Sequence, residues 1–286
     1  MARQRMDRPS STYSGAEAER KMTRLLMNSL VTGKGWLSLQ PRHFQSALLS
    51  RAVPVEFKAG EAVFHVEDDV GGIFGVVKGS FLIYLPSYGG SLVLAHIVRR
   101  GTWFGHGCVF TRDNRTLSVA AAEPSLTLHV PFAALQELVA ADAGAARCIG
   151  ALGEFGARIA RRAVTDLLLR GFSQRVAATL LRVTETWGED TESAEGYFLT
   201  QSQLAEMANV SRGVANRALA DFEARGWIAR RYSRISILDR KALAAEMARS
   251  DDARAASSSP LPHWRARHPQ AASQPDRLAD PCAVPV

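Results

Sequence analysis

The apolar pattern of this chain changes period at Pro131, and that change limits what it can fold into. Between Val53 and Val130, short apolar runs (VPVEF, AVFHV, IFGVV, FLIYL, LVLAHIV, LSVAAA, SLTLHV) are separated by glycine, proline or acidic turn residues. Roughly seven or eight strands at about ten-residue spacing imply a compact antiparallel barrel or sandwich. From about Phe132 the apolar residues recur at steps of three and four, which is helical spacing. The expected class is α+β, a β unit first and helices after it.

The flanks add little to this frame. Gly35 to Arg51 has helical spacing, with Pro41 near a helix start and Phe44, Leu48 and Leu49 on one side. Residues 1–24 are polar and charged, and residues 250–286 are rich in proline and serine, so both are expected to be disordered tails. Cys108, Cys148 and Cys282 are far apart and in no metal-ligand spacing, so neither a disulfide framework nor a zinc site is expected. The start of the chain, MARQRMDRPS, has no apolar signal core, and no apolar run is long enough to span a bilayer. A cytoplasmic location is the expectation. The net charge of +7 in 286 residues favours an acidic partner, nucleic acid above all.

Past Pro131, Ile149, Leu152, Phe155, Ile159, Ala163 and Leu167 form an apolar stripe on one long helix, with Arg158, Arg161 and Arg162 beside it. The stripe serves either to pack on the chain's own β unit or as a dimer seam through Ile149, Leu152, Phe155 and Ile159, and the seam is the preferred reading. Gly153 and Gly156 would let backbones approach closely, and Gly171 marks a hinge before a helix at Arg175–Trp187.

Residues 199–241 carry the most specific signal. Thr200 with Gln203 is a capping box that starts a helix, and Asn209 suits the left-handed residue that ends it. Ser211 caps a second helix, whose Ala215, Ala218, Leu219 and Phe222 form the core face. Arg212, Gly213, Asn216 and Arg217 lie on another face. Two short helices joined by a tight turn make a helix-turn-helix. Arginine grips guanine O6 and N7 with two hydrogen bonds, and asparagine does the same for adenine N6 and N7. The strands IARRY and RISIL, turning at Ser233, read as a wing that sets Arg230, Arg231 and Arg234 on phosphates. Eight Lys or Arg against four Asp or Glu in this stretch fit that partner. The candidate DNA-contacting set is Thr200, Gln201, Gln203, Ser211, Arg212, Asn216, Arg217, Arg230, Arg231 and Arg234.

FKAGEAVF, VVKGSFLIY, GTWFG, RVAATLL and LTQSQLAEMANVSRGVANRAL together resemble the CRP/FNR superfamily of bacterial transcription regulators, over about residues 35–245. The resemblance implies a cyclic-nucleotide-binding-type β-roll within residues 25–131, a dimerisation helix over 132–170 and a winged helix-turn-helix over 171–249. It also implies a homodimer on two-fold related double-stranded DNA half-sites, with RNA polymerase as a further partner. The family's recognition helix starts Ser-Arg-Glu; here it is Ser211-Arg212-Gly213, so the acid that reads cytosine is gone.

The stretch GTWFGHGCVFTRDNRT resembles the family's phosphate loop, in which Phe-Gly-Glu precedes Arg-Ser or Arg-Thr. Phe104, Gly105, Arg115 and Thr116 match, while His106 stands where the ribose-binding glutamate would. By an ungapped count back from Arg175, the small hydroxyl residues that contact the base fall on Ala160 and Arg161. The candidate ligand set is Gly105, His106, Arg115 and Thr116, and its usual ligand is expected to be altered or lost. Cyclic AMP, another small anionic effector and an empty pocket stay open as alternatives. No cofactor and no metal site are expected. The competing readings are a cupin-like metalloenzyme using His65, Glu67, His96 and His106, and a scaffold that does not touch DNA. The first lacks the H-x-H spacing cupins use, and the second leaves Arg212, Asn216 and Arg217 unexplained.

Overall fold

The computed structural model describes Gly33 and residues 35–111, 113–185 and 196–249. The two expected tails, residues 1–24 and 250–286, therefore lie outside the described residues. After a short turn at Leu37–Leu39 come α1 (Arg42–Ser50) and eight strands: β1 (Val53–Phe57), β2 (Ala62–Phe64), β3 (Gly72–Lys78), β4 (Ser80–Pro86), β5 (Leu92–Arg99), β6 (Trp103–Phe104), β7 (Ser118–Ala121) and β8 (Ser125–Pro131). They form two four-stranded antiparallel sheets, ordered β1-β8-β3-β6 and β2-β7-β4-β5. The fold is α+β as the apolar periods require.

Several strands lack the clean alternation of a half-exposed sheet, because both faces of each sheet are covered. Adjacent side chains point to opposite faces. Phe74, Val76 and Phe104 point between the sheets, where they meet Phe64, Phe81, Val98 and Val119. Ile73, Val77 and Trp103 point the other way, into a core with Phe44 and Leu48 of α1. On the second sheet, Leu82, Leu94 and Ile97 turn outward into a core shared with later helices. An uninterrupted run such as IFGVV is thus a strand buried on both sides.

The helical half begins with α2 (Phe132–Ala141) and α3 (Ala143–Leu167). The sequence suggested one helix from Phe132; the structure breaks it at Asp142, which leaves helical geometry and caps α3, accepting from Gly144 N at 2.7 Å. The capping side chain competes with the continuing helix and wins there. Next come α4 (Phe172–Val183), β9 (Tyr197–Phe198), α5 (Gln201–Met207), α6 (Arg212–Ala224), β10 (Ile228–Arg231), β11 (Arg234–Ile237) and α7 (Arg240–Ala248). α4 ends at Val183 with Thr184 as its C-cap, short of the expected end at Trp187, which lies outside the described residues. The three short strands make a sheet ordered β10-β11-β9.

The dimer stripe is where structure and expectation part. Ile149 and Leu152 are each 1% exposed and sit in the chain's own core with α1, α2 and the first sheet. Phe155 packs against the same core, and Ile159 is half-buried. Ile149 and Leu152 therefore lie on the inner face of α3 and are not available to a second chain. Another face is open. Gly150, Gly153, Ala157, Ala160, Val164 and Leu167 follow at alternating steps of three and four, and Val164 and Leu167 are 58% and 44% exposed. A Cβ on Gly150 or Gly153 would meet nothing within 4 Å.

Candidate nucleic-acid interface and sensor loop

The helix-turn-helix is built by its caps. Thr200 Oγ1 accepts from Gln203 N at 3.2 Å, and Gln203 Oε1 accepts from Thr200 N at 2.9 Å. These bonds satisfy two amides that the first turn of α5 would otherwise leave unpaired. Both side chains are half-buried, as is Gln201. Asn209 takes φ +48° in the turn, and Ser211 Oγ accepts from Val214 N at 3.3 Å to start α6. Ala215, Leu219 and Phe222 are fully buried against α4 and α5, which fixes the roll of α6.

That roll leaves Arg212, Gly213 and Arg217 exposed beside the exposed Ser211. Neither arginine takes an ion pair among the described residues. Asn216 departs from expectation: it is half-buried, and its Oδ1 is enclosed without a partner among the described residues. On the wing, Arg231 is exposed, and Tyr232 at the tip is 97% exposed. Tyr232 was missed in the sequence, although its place beside the Ser233 turn signals exposure; Ser233 has φ +54°.

The other two wing arginines, Arg230 and Arg234, are part-buried and take partners within the chain. Arg230 pairs with Glu223 of α6, Nε to Oε2 at 2.7 Å, and Glu223 also accepts from Arg230 N. These hydrogen bonds hold the Glu223 carboxyl below its usual range. Arg234 donates to Gly196 O at 2.8 Å and to Glu123 at 2.9 Å, which lies just before β8 on the β unit. Glu206 of α5 reaches the same unit, accepting from Leu94 N at 2.6 Å. Arg99 donates to Val183 O and Phe198 O at 2.8 and 2.9 Å. With the shared core around Leu82, Leu94 and Ile97, these bonds seat the head on the second sheet.

In the loop after β6, Gly105 takes φ +88°, and a Cβ there would come within 2.9 Å of Gly72 O. Arg115 is turned inward and only 3% exposed. Its terminal nitrogens donate to Gly105 O at 2.5 Å and Gly72 O at 2.9 Å, and its guanidinium lies 4.1 Å over the Phe64 ring. Burial lowers its pKa. His106 is half-buried against α3: a Cβ on Gly156 would stand 2.8 Å from its Nε2, and its Nδ1 has no partner among the described residues. Burial and the Arg115 charge push its pKa down to about 4, so the ring is neutral at neutral pH. Thr116 is exposed. The four candidate ligand residues thus lie on one loop, but Arg115 is occupied by backbone carbonyls. His65, Glu67, His96 and His106 form no cluster: among the described residues, no group of three or more His, Cys, Asp or Glu side chains could hold a metal.

Comparison with known proteins matches residues 54–142 to the cyclic nucleotide-binding domain and residues 174–246 to the Crp-like helix-turn-helix domain, together more than half of the chain. The chain belongs to the CRP/FNR superfamily. A CRP-like cAMP-activated global transcriptional regulator of Mycobacterium tuberculosis is 26% identical over 201 residues, covering 70% of this chain and 90% of that protein. The fold is that of FixK2 from Bradyrhizobium japonicum, at TM-score 0.60 and 18% identity over 70% of this chain and 98% of that one. It is also that of the c-di-GMP responsive global regulator CLP of Xanthomonas campestris, at TM-score 0.52 and 19% identity over 69% and 99%. This CRP/FNR member is a CRP-like transcription regulator with a cyclic nucleotide-binding-type domain and a DNA-binding helix-turn-helix. Among its described residues, no helix is long and apolar enough to cross a membrane.

Proposed function

We propose that this CRP/FNR regulator reads DNA as a cytoplasmic homodimer on two-fold related half-sites, and that its sensor loop no longer takes the family's usual ligand in the usual way. The exposure of Arg212 and Arg217 on a capped helix in a winged frame carries this reading. On it, these two side chains contact base edges, and Ser211, Arg231 and Tyr232 contact the backbone. Thr200, Gln201 and Gln203 place the N-terminus of α5, and Asn216 turns toward DNA only by leaving its present enclosure. The units are residues 25–131 for the sensor, 132–170 for the connecting helices and 171–249 for the head.

The dimer face on this reading is the outer ridge Gly150, Gly153, Ala157, Ala160, Val164 and Leu167. Its three-four alternation is the seam of a coiled coil, and its small residues allow close approach of two backbones. The relative from Mycobacterium tuberculosis is cAMP-activated, but cyclic AMP here would meet His106 in place of a carboxylate and an Arg115 already bonded to carbonyls. We therefore place an altered effector, or none, ahead of cyclic AMP. RNA polymerase is a further partner on the same reading.

The test is enrichment of random DNA duplexes on the full-length protein at fixed salt, with and without a panel of cyclic nucleotides. A palindromic site with half-sites one helical turn apart, selected without nucleotide, is the expected result. Selection only with one nucleotide overturns the altered-sensor half of the reading. No selected site in any condition overturns the DNA-reading half.

A further inference from the structure

The last long strand of the second sheet, the C-terminal half of α3 and the end of α4 meet around a cleft of about 280 Å3. Among the described residues its lining carries Arg99, Arg158, Arg162 and Arg182 with the carboxylate of Glu185, and His96 and Thr102 lie among them. Gly105, His106, Arg115 and Thr116 are not part of it, so the cleft is distinct from the phosphate loop.

The residues at its back are fixed. The Arg182 side chain is 2% exposed; its Nε donates to Asp166 at 2.7 Å, and its Nη1 donates to Ala95 O at 3.2 Å and to His96 Nδ1 at 3.1 Å. Accepting at Nδ1 leaves the ring proton of His96 on Nε2. Arg162 pairs with Glu185 at the mouth. Burial and the charges of Arg182, Arg99 and Arg162 push the His96 pKa down to about 3, even with Asp166 and Glu185 nearby. The ring is a neutral donor in a positive cleft.

Guanidinium groups match the oxygens of a phosphate two at a time, and a threonine hydroxyl and an imidazole N–H are added donors. A phosphate group carries about −1.5 to −2 charge at neutral pH, which suits a lining dominated by cations. The volume lies at the bottom of the range of small-molecule sites, about 300–1,000 Å3, and excludes a dinucleotide. We propose that this cleft binds a phosphate dianion, free or as a small phosphomonoester, between the sensor, the long helix and the head. Such a ligand would touch β5, α3 and α4 together and so bear on how the head sits.

The experiment is calorimetric titration of the full-length protein with inorganic phosphate and with glycerol phosphate, at constant ionic strength and against a chloride control. Nitrogen-15 spectra of the histidine rings are recorded in parallel. Saturable binding at or below about 1 mM is expected, with a shift of the His96 signal. Binding should weaken at least about tenfold in Arg162→Gln and in Thr102→Val, and persist in Arg115→Gln and Arg217→Ala. Tighter binding of glycerol phosphate identifies an organic ester as the ligand, and equal binding identifies phosphate itself. Heat that matches chloride, an unmoved His96 signal, or binding lost in Arg115→Gln or Arg217→Ala instead would each overturn the proposal. If Arg162→Gln fails to fold, the His96 signal of the unaltered protein decides alone.

Discussion

Arg115 and Arg217 carry the same guanidinium and meet opposite fates. Arg115 is buried, 3% exposed, in the sensor; its two terminal nitrogens donate to the carbonyls of Gly105 and Gly72, and its Nε is enclosed without a partner among the described residues. Arg217 stands in solvent on α6 with no ion pair among the described residues. One has become a structural strut; the other is open to a partner. The contrast teaches that a matching motif residue is a donor with a direction, and the direction decides whether it can meet a ligand.

The contrast breaks most visibly at Arg115. Replacing it with Met removes two charge-assisted hydrogen bonds and strands two carbonyls, at a cost of about 3 kcal/mol. Chemical denaturation should show that loss while affinity for a selected DNA site stays within twofold of the parent. Next in size is the pH response of His106. Its folded pKa of about 4 lies below the ordinary histidine value of 6.5, so the unfolded chain binds more protons between those values. Stability is then fully present above about pH 6.5 and falls as pH drops toward 4, by up to about 3 kcal/mol from this group. His106→Gln should flatten that part of the profile, with the remaining histidine slope carried by His96 and His129, whose pKa values burial also lowers.

Arg217→Ala should leave stability unchanged and weaken the selected site by about 1–3 kcal/mol, with relaxed base choice at one position per half-site. A loss shared equally by random DNA would show that Arg217 touches only phosphates. Arg231→Ala should weaken binding to all sequences and lower the slope of log affinity against log salt by about one, whereas Arg230→Ala should act first on stability. The smallest effects separate two helix glycines. Gly156→Ala drives a methyl toward His106 and should lose stability, although Ala is the better helix former by about 1 kcal/mol. A methyl at Gly150 meets nothing within 4 Å among the described residues. Gly150→Ala should raise the melting temperature of a monomer and weaken a dimer that uses the outer ridge, a pair of outcomes that sedimentation distinguishes.

What the sequence made legible was local. The caps Thr200 and Ser211, the turn residue Asn209 and the glycine turns between strands each act within three or four residues, and the structure holds them where the pattern put them. What escaped were partners far along the chain. Arg115 is held by Gly72, 43 residues away, and Arg234 by Glu123, 111 residues away, and no period records such a meeting. On the long helix the period alone does not say which face packs inward. Both its faces repeat at three and four, and the bulky stripe of Ile149 and Leu152 drew attention from the small one beside it.

The carbonyls that hold Arg115 also set a threshold. They are tethered beside it by the fold, so they compete with any incoming anion as though present at a high and constant effective concentration. A dissolved effector is subject to dilution; a neighbouring carbonyl is not. An effector that drew on the two terminal nitrogens of Arg115 would have to win an exchange against the protein itself, and the level at which it won would depend on how firmly β3 holds Gly72. Since that residue sits at φ +122°, where a Cβ would come within 2.1 Å of Val130 O, small shifts in the backbone there would retune the threshold without altering one ligand contact.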